Sequence, residues 1–114
     1  MNKSKKVTNK DLHEEASHLN EYFFYGRLIG LRVQFGGNPA GTDGCYNFKK
    51  HLISISPGLK NFQSLCYLVL LHELAHAYLE VQGYKGYPGD GGHGMRFQAE
   101  LDRLYHAGAY DSLL

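Results

Sequence analysis

His72-Glu73-Leu74-Ala75-His76 sets two imidazoles four residues apart, with a carboxylate directly after the first. On a helix, positions four apart share one face with Cβ atoms about 5–6 Å apart, so both rings can reach one ion at the ~2.0–2.1 Å of a zinc–nitrogen bond. Glu73 falls about 60° around such a helix from His76, where its carboxylate can flank the ion without ligating it and take a proton from a water. The chemistry predicted is metal-assisted hydrolysis. With seven histidines and six glutamates in 114 residues, composition alone yields one such pattern at about 2%, which favours a site over an accident.

The surroundings strengthen that reading. Leu65, Leu68, Val69, Leu70, Leu71, Leu74 and Ala75 make this segment apolar on nearly every side, so its helix belongs in the centre of the domain. Two histidines and a glutamate in a core are costly without partners, and a Zn2+ ion with its water satisfies all three at once. A catalytic zinc takes three protein ligands and keeps one position open. His93 is the preferred third ligand, ahead of Asp90 and Glu100, because nitrogen-rich sites suit zinc. His13, His18, His51 and His106 stand in polar or turn contexts and are read as surface residues. Tyr84, Tyr87, Arg96 and Tyr105 are the candidates to stabilise a developing oxyanion.

The elements that must position these groups follow from periodicity. Thr8 or Asn9 can cap a first helix in which Leu12, Ala16, Leu19 and Phe23 recur at helical spacing, ending near Tyr25 and Gly26. Alternation in Leu31 to Phe35 predicts a strand, and Cys45 to Phe48 and Leu52 to Ile55 read as two more. Ser56-Pro57-Gly58 ends them, and Asn61 or Ser64 can cap the second helix, which runs to about Val81. Tyr84 to Gly92, with four glycines and a proline, is a loop bordering the cleft. From His93 a third helix reaches about Ala107, with Phe97, Leu101 and Leu104 on its inward stripe. The expected fold is a small α+β zincin-like domain: three helices packed on a short antiparallel three-stranded sheet, with the HExxH segment on the central helix. Leu52 to Ser56 is expected to be the exposed edge against which an extended substrate lies. Glu100, seven residues after His93 on the inward stripe, is expected either to turn outward or to accept a hydrogen bond from the ring of His72 or His76.

Length and composition agree with one domain over residues 1–114, in which residues 1–8 form a flexible basic tail containing Lys3, Lys5 and Lys6. Apolar residues at 43% and charged residues at 20% exclude disorder. Twelve basic against eleven acidic residues leave a net charge of +1, so no global field advertises nucleic acid or an anionic membrane. Cys45 and Cys66 read as free thiols of a reducing compartment. No secretory stretch opens the sequence and no apolar run is long enough to span a bilayer; a cytoplasmic monomer without membrane partner is expected.

The chain resembles the SprT-like metalloprotease domains, which include the Spartan proteases of DNA–protein crosslink repair. The resemblance rests on the HELAH segment, on Gly92-His93-Gly94-Met95-Arg96-Phe97 with its G-H-G-x-x-F pattern, and on Asn20-Glu21-Tyr22-Phe23 followed by Gly26 and Leu28. It implies a zinc metallopeptidase with His72, His76 and His93 as ligands and Glu73 as general base, acting on DNA-bound proteins. The competing expectations are a DNA-associated binding module with a structural zinc, and a peptidase that cleaves a regulator unrelated to DNA. A near-neutral chain should bind DNA weakly.

Overall fold

The computed structural model describes residues 6–84 and 93–113. Helix α1 (Asn9–Phe23) starts at Thr8, whose hydroxyl accepts the Asp11 N–H at 3.1 Å while the Asp11 carboxylate accepts the Thr8 N–H at 3.0 Å. This reciprocal box satisfies two donors that a helix start otherwise leaves open. Leu12, Ala16 and Leu19 form its buried face, as the spacing predicts. Val7, assigned above to the tail, is 3% exposed, and its N–H donates to the Lys60 carbonyl at 2.8 Å.

The helix ends two residues earlier than expected. The Asn20 carbonyl accepts both the Phe24 and Gly26 N–H groups, and the Asn20 side-chain oxygen accepts the Leu28 N–H at 3.0 Å. Tyr25 and Gly26 both have positive φ, 57° and 68°, a conformation that glycine adopts at little cost and tyrosine does not. The chain turns back here and buries Phe24 and Leu28. That accounts for the Asn20 and Gly26 of the N-terminal pattern: they build a turn.

Strands β1 (Arg32–Phe35), β2 (Gly44–Asn47) and β3 (Leu52–Ile55) form one sheet in the order β1-β3-β2. β3 pairs parallel with β1 and antiparallel with β2, so the sheet is mixed rather than antiparallel. Alternation specifies which face a residue takes but not which strand it pairs with. Here the β2–β3 hairpin folds β3 back between the two earlier strands. β3 is therefore the central strand and has no free edge, which overturns the assignment of Leu52 to Ser56 as the substrate edge; β1 and β2 are the edges. Ile53 and Ile55 of β3 are fully buried, while Ser54 on the opposite face meets the Gln34 side chain.

A 3-10 turn (Pro57–Asn61) leads directly into α2 (Gln63–Val81), so neither Asn61 nor Ser64 caps that helix; Phe62 holds the cap position, its carbonyl accepting the Cys66 N–H. Leu70, Leu71, Leu74, Ala75 and Ala77 have no exposure. Burial of each leucine contributes about 1.5–3 kcal/mol, so α2 is the pillar on which α1, β2, β3 and α3 (Met95–His106) all pack. No helix of the described residues is long and apolar enough to cross a membrane.

The far end of α3 is tied to α1 and α2 by one side chain. Arg103 donates from Nε and Nη2 to the two Glu100 carboxylate oxygens at 2.8 and 2.6 Å, and from Nη2 to the Phe23 carbonyl at 2.8 Å. Its guanidinium lies 5.8, 5.5 and 5.4 Å from the ring centres of Phe24, Tyr25 and Tyr78. Glu100 is 7% exposed, so removing its partner leaves a carboxylate uncompensated in the interior. Arg103→Ala is expected to cost about 3 kcal/mol, and the double change Glu100→Met/Arg103→Leu to recover most of it. Urea denaturation measures both; a single-variant loss of about 0.5 kcal/mol or less would place the pair among ordinary surface contacts.

Candidate metal centre

His72, Glu73 and His76 lie in the middle of α2. The chain returns after the segment 85–92 to His93, which stands one residue before Gly94, the extended cap of α3. His93 is thus outside the helix that it was expected to open. Gly94 is extended rather than helical, and the exposed His93 ring points back to α2.

The three rings meet through corresponding atoms. His93 Nε2 is 3.3 Å from His72 Nε2 and 3.2 Å from His76 Nε2, and all three ligand atoms lie within 4.8 Å of one another. A neutral imidazole has one N–H and one lone pair. Three nitrogens aimed at one point cannot all be satisfied by sharing protons between pairs, whereas a central cation accepts all three lone pairs. Electrostatics favours the neutral form that a ligand needs: burial, with the neighbouring His72 and His93, pushes His76 down to about 4, and burial with His93 lowers His72. These residues could hold a metal ion, and among the described residues no other group of this kind occurs.

Phe97 determines how the rings sit. It stacks on His76 with centroids 4.1 Å apart and planes 16° from parallel, and meets His72 and His93 edgewise at 4.9 and 5.0 Å. It is almost fully buried. One aromatic side chain thus touches all three imidazoles: Phe97 from the first turn of α3 and His93 from just before its cap reach α2 together. Sequence reasoning placed Phe97 on the inward stripe without seeing this role. Its spacing from His93 was the available signal.

Glu73 is 7% exposed, and burial pushes its carboxyl up to about 7. A cation held by its neighbours would favour the ionised form again. Across from it lies β2: Gly44 packs so tightly that a Cβ there would come within 3.0 Å of Val69 Cγ1, and Cys45 lies within reach of the Glu73 charge. Neither residue stood out in the sequence, because what matters is the proximity of β2 to α2 rather than their own chemistry.

The other sequence candidates do not join the cluster. Glu100 is taken by Arg103 and not by His72 or His76, because α3 turns its carboxylate toward α1. Arg103, which the sequence reading passed over, is the residue that decides this. Tyr84 and Arg96 engage each other, the guanidinium 4.0 Å from the ring centre, and Tyr105 lies against His106 and Tyr110. His18 contacts Tyr22, His51 Nδ1 meets the Tyr46 hydroxyl at 2.8 Å, and His106 Nδ1 meets the Asp102 carbonyl. Cys45 and Cys66 are free. Asp90 and Tyr87 fall outside the described residues.

The SprT-like family matches residues 12–111. The chain belongs to this family. The match takes in α1 from Leu12 onward, the sheet, α2, α3 and the three histidines of this SprT-like domain. In three dimensions the chain is similar to the crystal structure of the metallopeptidase zymogen of Pyrococcus abyssi abylysin, with a TM-score of 0.59 and 18% identity over 90% of this chain and 87% of that one. At that identity the likeness is one of fold. No curated protein matches the chain in sequence.

An ion that binds only the folded protein stabilises it by about 2.7 kcal/mol at a hundredfold excess over its Kd. Zinc chloride should therefore raise the denaturation midpoint relative to chelator. His93→Ala, an exposed change, should abolish that increment and move metal-free stability by less than about 0.5 kcal/mol. Phe97→Ala should lower metal-free stability itself by about 3–5 kcal/mol. A midpoint indifferent to metal in the unaltered protein would remove the centre.

Proposed function

We propose that this SprT-like chain is a zinc-dependent endopeptidase in which His72, His76 and His93 hold Zn2+ and Glu73 is the general base. The observation that carries this is the spacing of the nitrogens. Tetrahedral zinc with bonds of ~2.0–2.1 Å separates its ligands by about 3.3–3.4 Å, against 3.3 and 3.2 Å from His93 Nε2 to the other two. Among the described residues the cluster offers three ligand atoms, the number of a catalytic site; a structural zinc takes four. This favours hydrolysis over a binding module with a structural ion.

When bound, zinc supplies a Lewis acid that acidifies water toward a pKa of ~7 and polarises the scissile carbonyl. Glu73, held beside the ligands by its place in α2, takes the proton from the attacking water and delivers it to the leaving amine. Its apolar setting suits both steps, since a carboxylate of raised pKa is a better acid after it has served as base. The sheet supplies the peptide-binding strand. In the β2–β3 pair the Ser56 N–H donates to the Asp43 carbonyl, so antiparallel alternation turns the N–H and C=O of Gly44 and Tyr46 outward to the free edge. An extended peptide pairs there with little demand on its sequence.

The substrate is a protein or peptide, and the family likeness makes DNA-bound or crosslinked proteins one class of target. With a net charge of +1, DNA acts as a weak partner whose affinity falls steeply with salt. A peptidase that cleaves a regulator away from DNA remains the second reading, and the DNA arm of the assay below separates the two.

Zinc-loaded protein is expected to cleave casein, and Glu73→Gln to keep one zinc per chain and the same fold while losing at least about a hundredfold in turnover. Undiminished turnover would take Glu73 out of the mechanism. Binding to single-stranded DNA is expected to be weak at physiological salt, and nanomolar affinity there would contradict that part of the proposal. Histone cleavage stimulated by single-stranded DNA would favour DNA-bound targets over a free regulator.

A further inference from the structure

The metal-facing side of α2 has two unlike halves. At 100° per residue, Leu65 projects between His72 and His76, with Leu68 and Val69 within about 60° on either side. Toward the C-terminus α3 covers this face, with Phe97 on the histidine rings. Toward the N-terminus nothing among the described residues does: Leu65 is 47% exposed and Leu68 36%. From Gln63 to Leu71 the helix carries no charged residue. Single exposed leucines are ordinary, but these two continue the stripe that carries the metal ligands.

β2 runs beside this face in the same direction as α2. Gly44 abuts Val69, Cys45 feels the charge of Glu73 and Tyr46 that of Glu80. A peptide paired with the free edge of β2 therefore lies along the α2 axis. From Leu68 to the midpoint of His72 and His76 is six residues, about 9 Å along the helix, and from Leu65 about 13 Å. An extended chain covers those lengths in three to four residues at ~3.3 Å each.

We infer that Leu65 and Leu68 form an apolar subsite that holds a large aliphatic or aromatic side chain three or four residues from the scissile bond of an extended substrate. The inference rests on the endopeptidase reading and names the substrate class of that site: peptides whose anchor is uncharged and bulky. Charged anchors are disfavoured because they would be desolvated against leucine with no partner.

The test uses zinc-loaded protein and quenched fluorescent peptides of one sequence, varied to Leu, Phe, Asp or Lys three and four residues to either side of the cleaved bond. Leu and Phe peptides are expected to exceed Asp and Lys peptides by about tenfold in kcat/KM on one side. Leu68→Lys, an exposed change that should leave zinc content and circular dichroism unaltered, is expected to abolish that preference and favour Asp. Equal rates across the series, or a preference unchanged in Leu65→Ser/Leu68→Lys, would overturn the subsite. So would a dimer of the unaltered protein that Leu68→Lys dissociates, since a second copy would then occupy the face. Anisotropy of the same peptides on Glu73→Gln separates the two readings. Selective binding of apolar peptides without cleavage by the unaltered protein would uphold the subsite and sink the endopeptidase. Cleavage without selectivity would sink the subsite alone.

Discussion

Three converging imidazole nitrogens, with those of His72 and His76 only 3.3 and 3.2 Å from that of His93, are an arrangement that a protein must impose, because the lone pairs face one another and the rings would separate in water. Two of the rings are fixed by a helix turn in α2. The third is exposed and comes from another part of the chain, so the cluster depends on what brings His93 back. Phe97 does this locally, by filling the space between α3 and the two α2 rings. Its contacts are apolar and broad. A stacked ring fixes the plane and the approach of an imidazole together, which a single hydrogen bond does not.

Phe97 can act only if α3 lies at the right height and angle, and that is settled less than two turns further along the helix. The Glu100–Arg103 pair with the Phe23 carbonyl anchors α3 to the end of α1, at the turn that Asn20 and Gly26 build. The pattern Asn20-x-x-Phe23 and the pattern His93-Gly94-x-x-Phe97 are thus two ends of one mechanical unit. The first makes a carbonyl available at the end of α1; the second places His93 and its supporting ring at the start of α3.

How much of this the sequence discloses depends on whether the information is local. The HExxH face, the inward residues of α1, the end of α2 and the existence of three strands are properties of short segments, set by periods of 3.6 and 2. They were legible, as was the approach of His93 to His72 and His76. Strand order was not: β1 and β3 look alike whichever is central, and only the hairpin geometry decides. The assignment of the substrate edge to Leu52–Ser56 failed for that reason. The partner of Glu100 was misread because a helical projection shows that a carboxylate faces inward but not that Arg103, three residues on, bends over it to reach Phe23.

α2 reconciles two demands that usually conflict. A helix buried on most sides holds its side chains in fixed rotamers, which suits a ligand set that must not relax, yet burial disfavours the charges that hydrolysis uses. The histidines meet this by staying neutral, and their lowered pKa values follow from burial itself. Glu73 meets it by being protonated easily, at about 7, so that the metal-free protein need not bury an anion beside Leu70 and Leu74. A cation between the histidines would then ionise Glu73 as it binds. The same apolar environment that makes α2 a stable pillar therefore makes the charge of its buried carboxyl, Glu73, respond to the ion, and under the proposed function it couples readiness for catalysis to metal occupancy without any moving part.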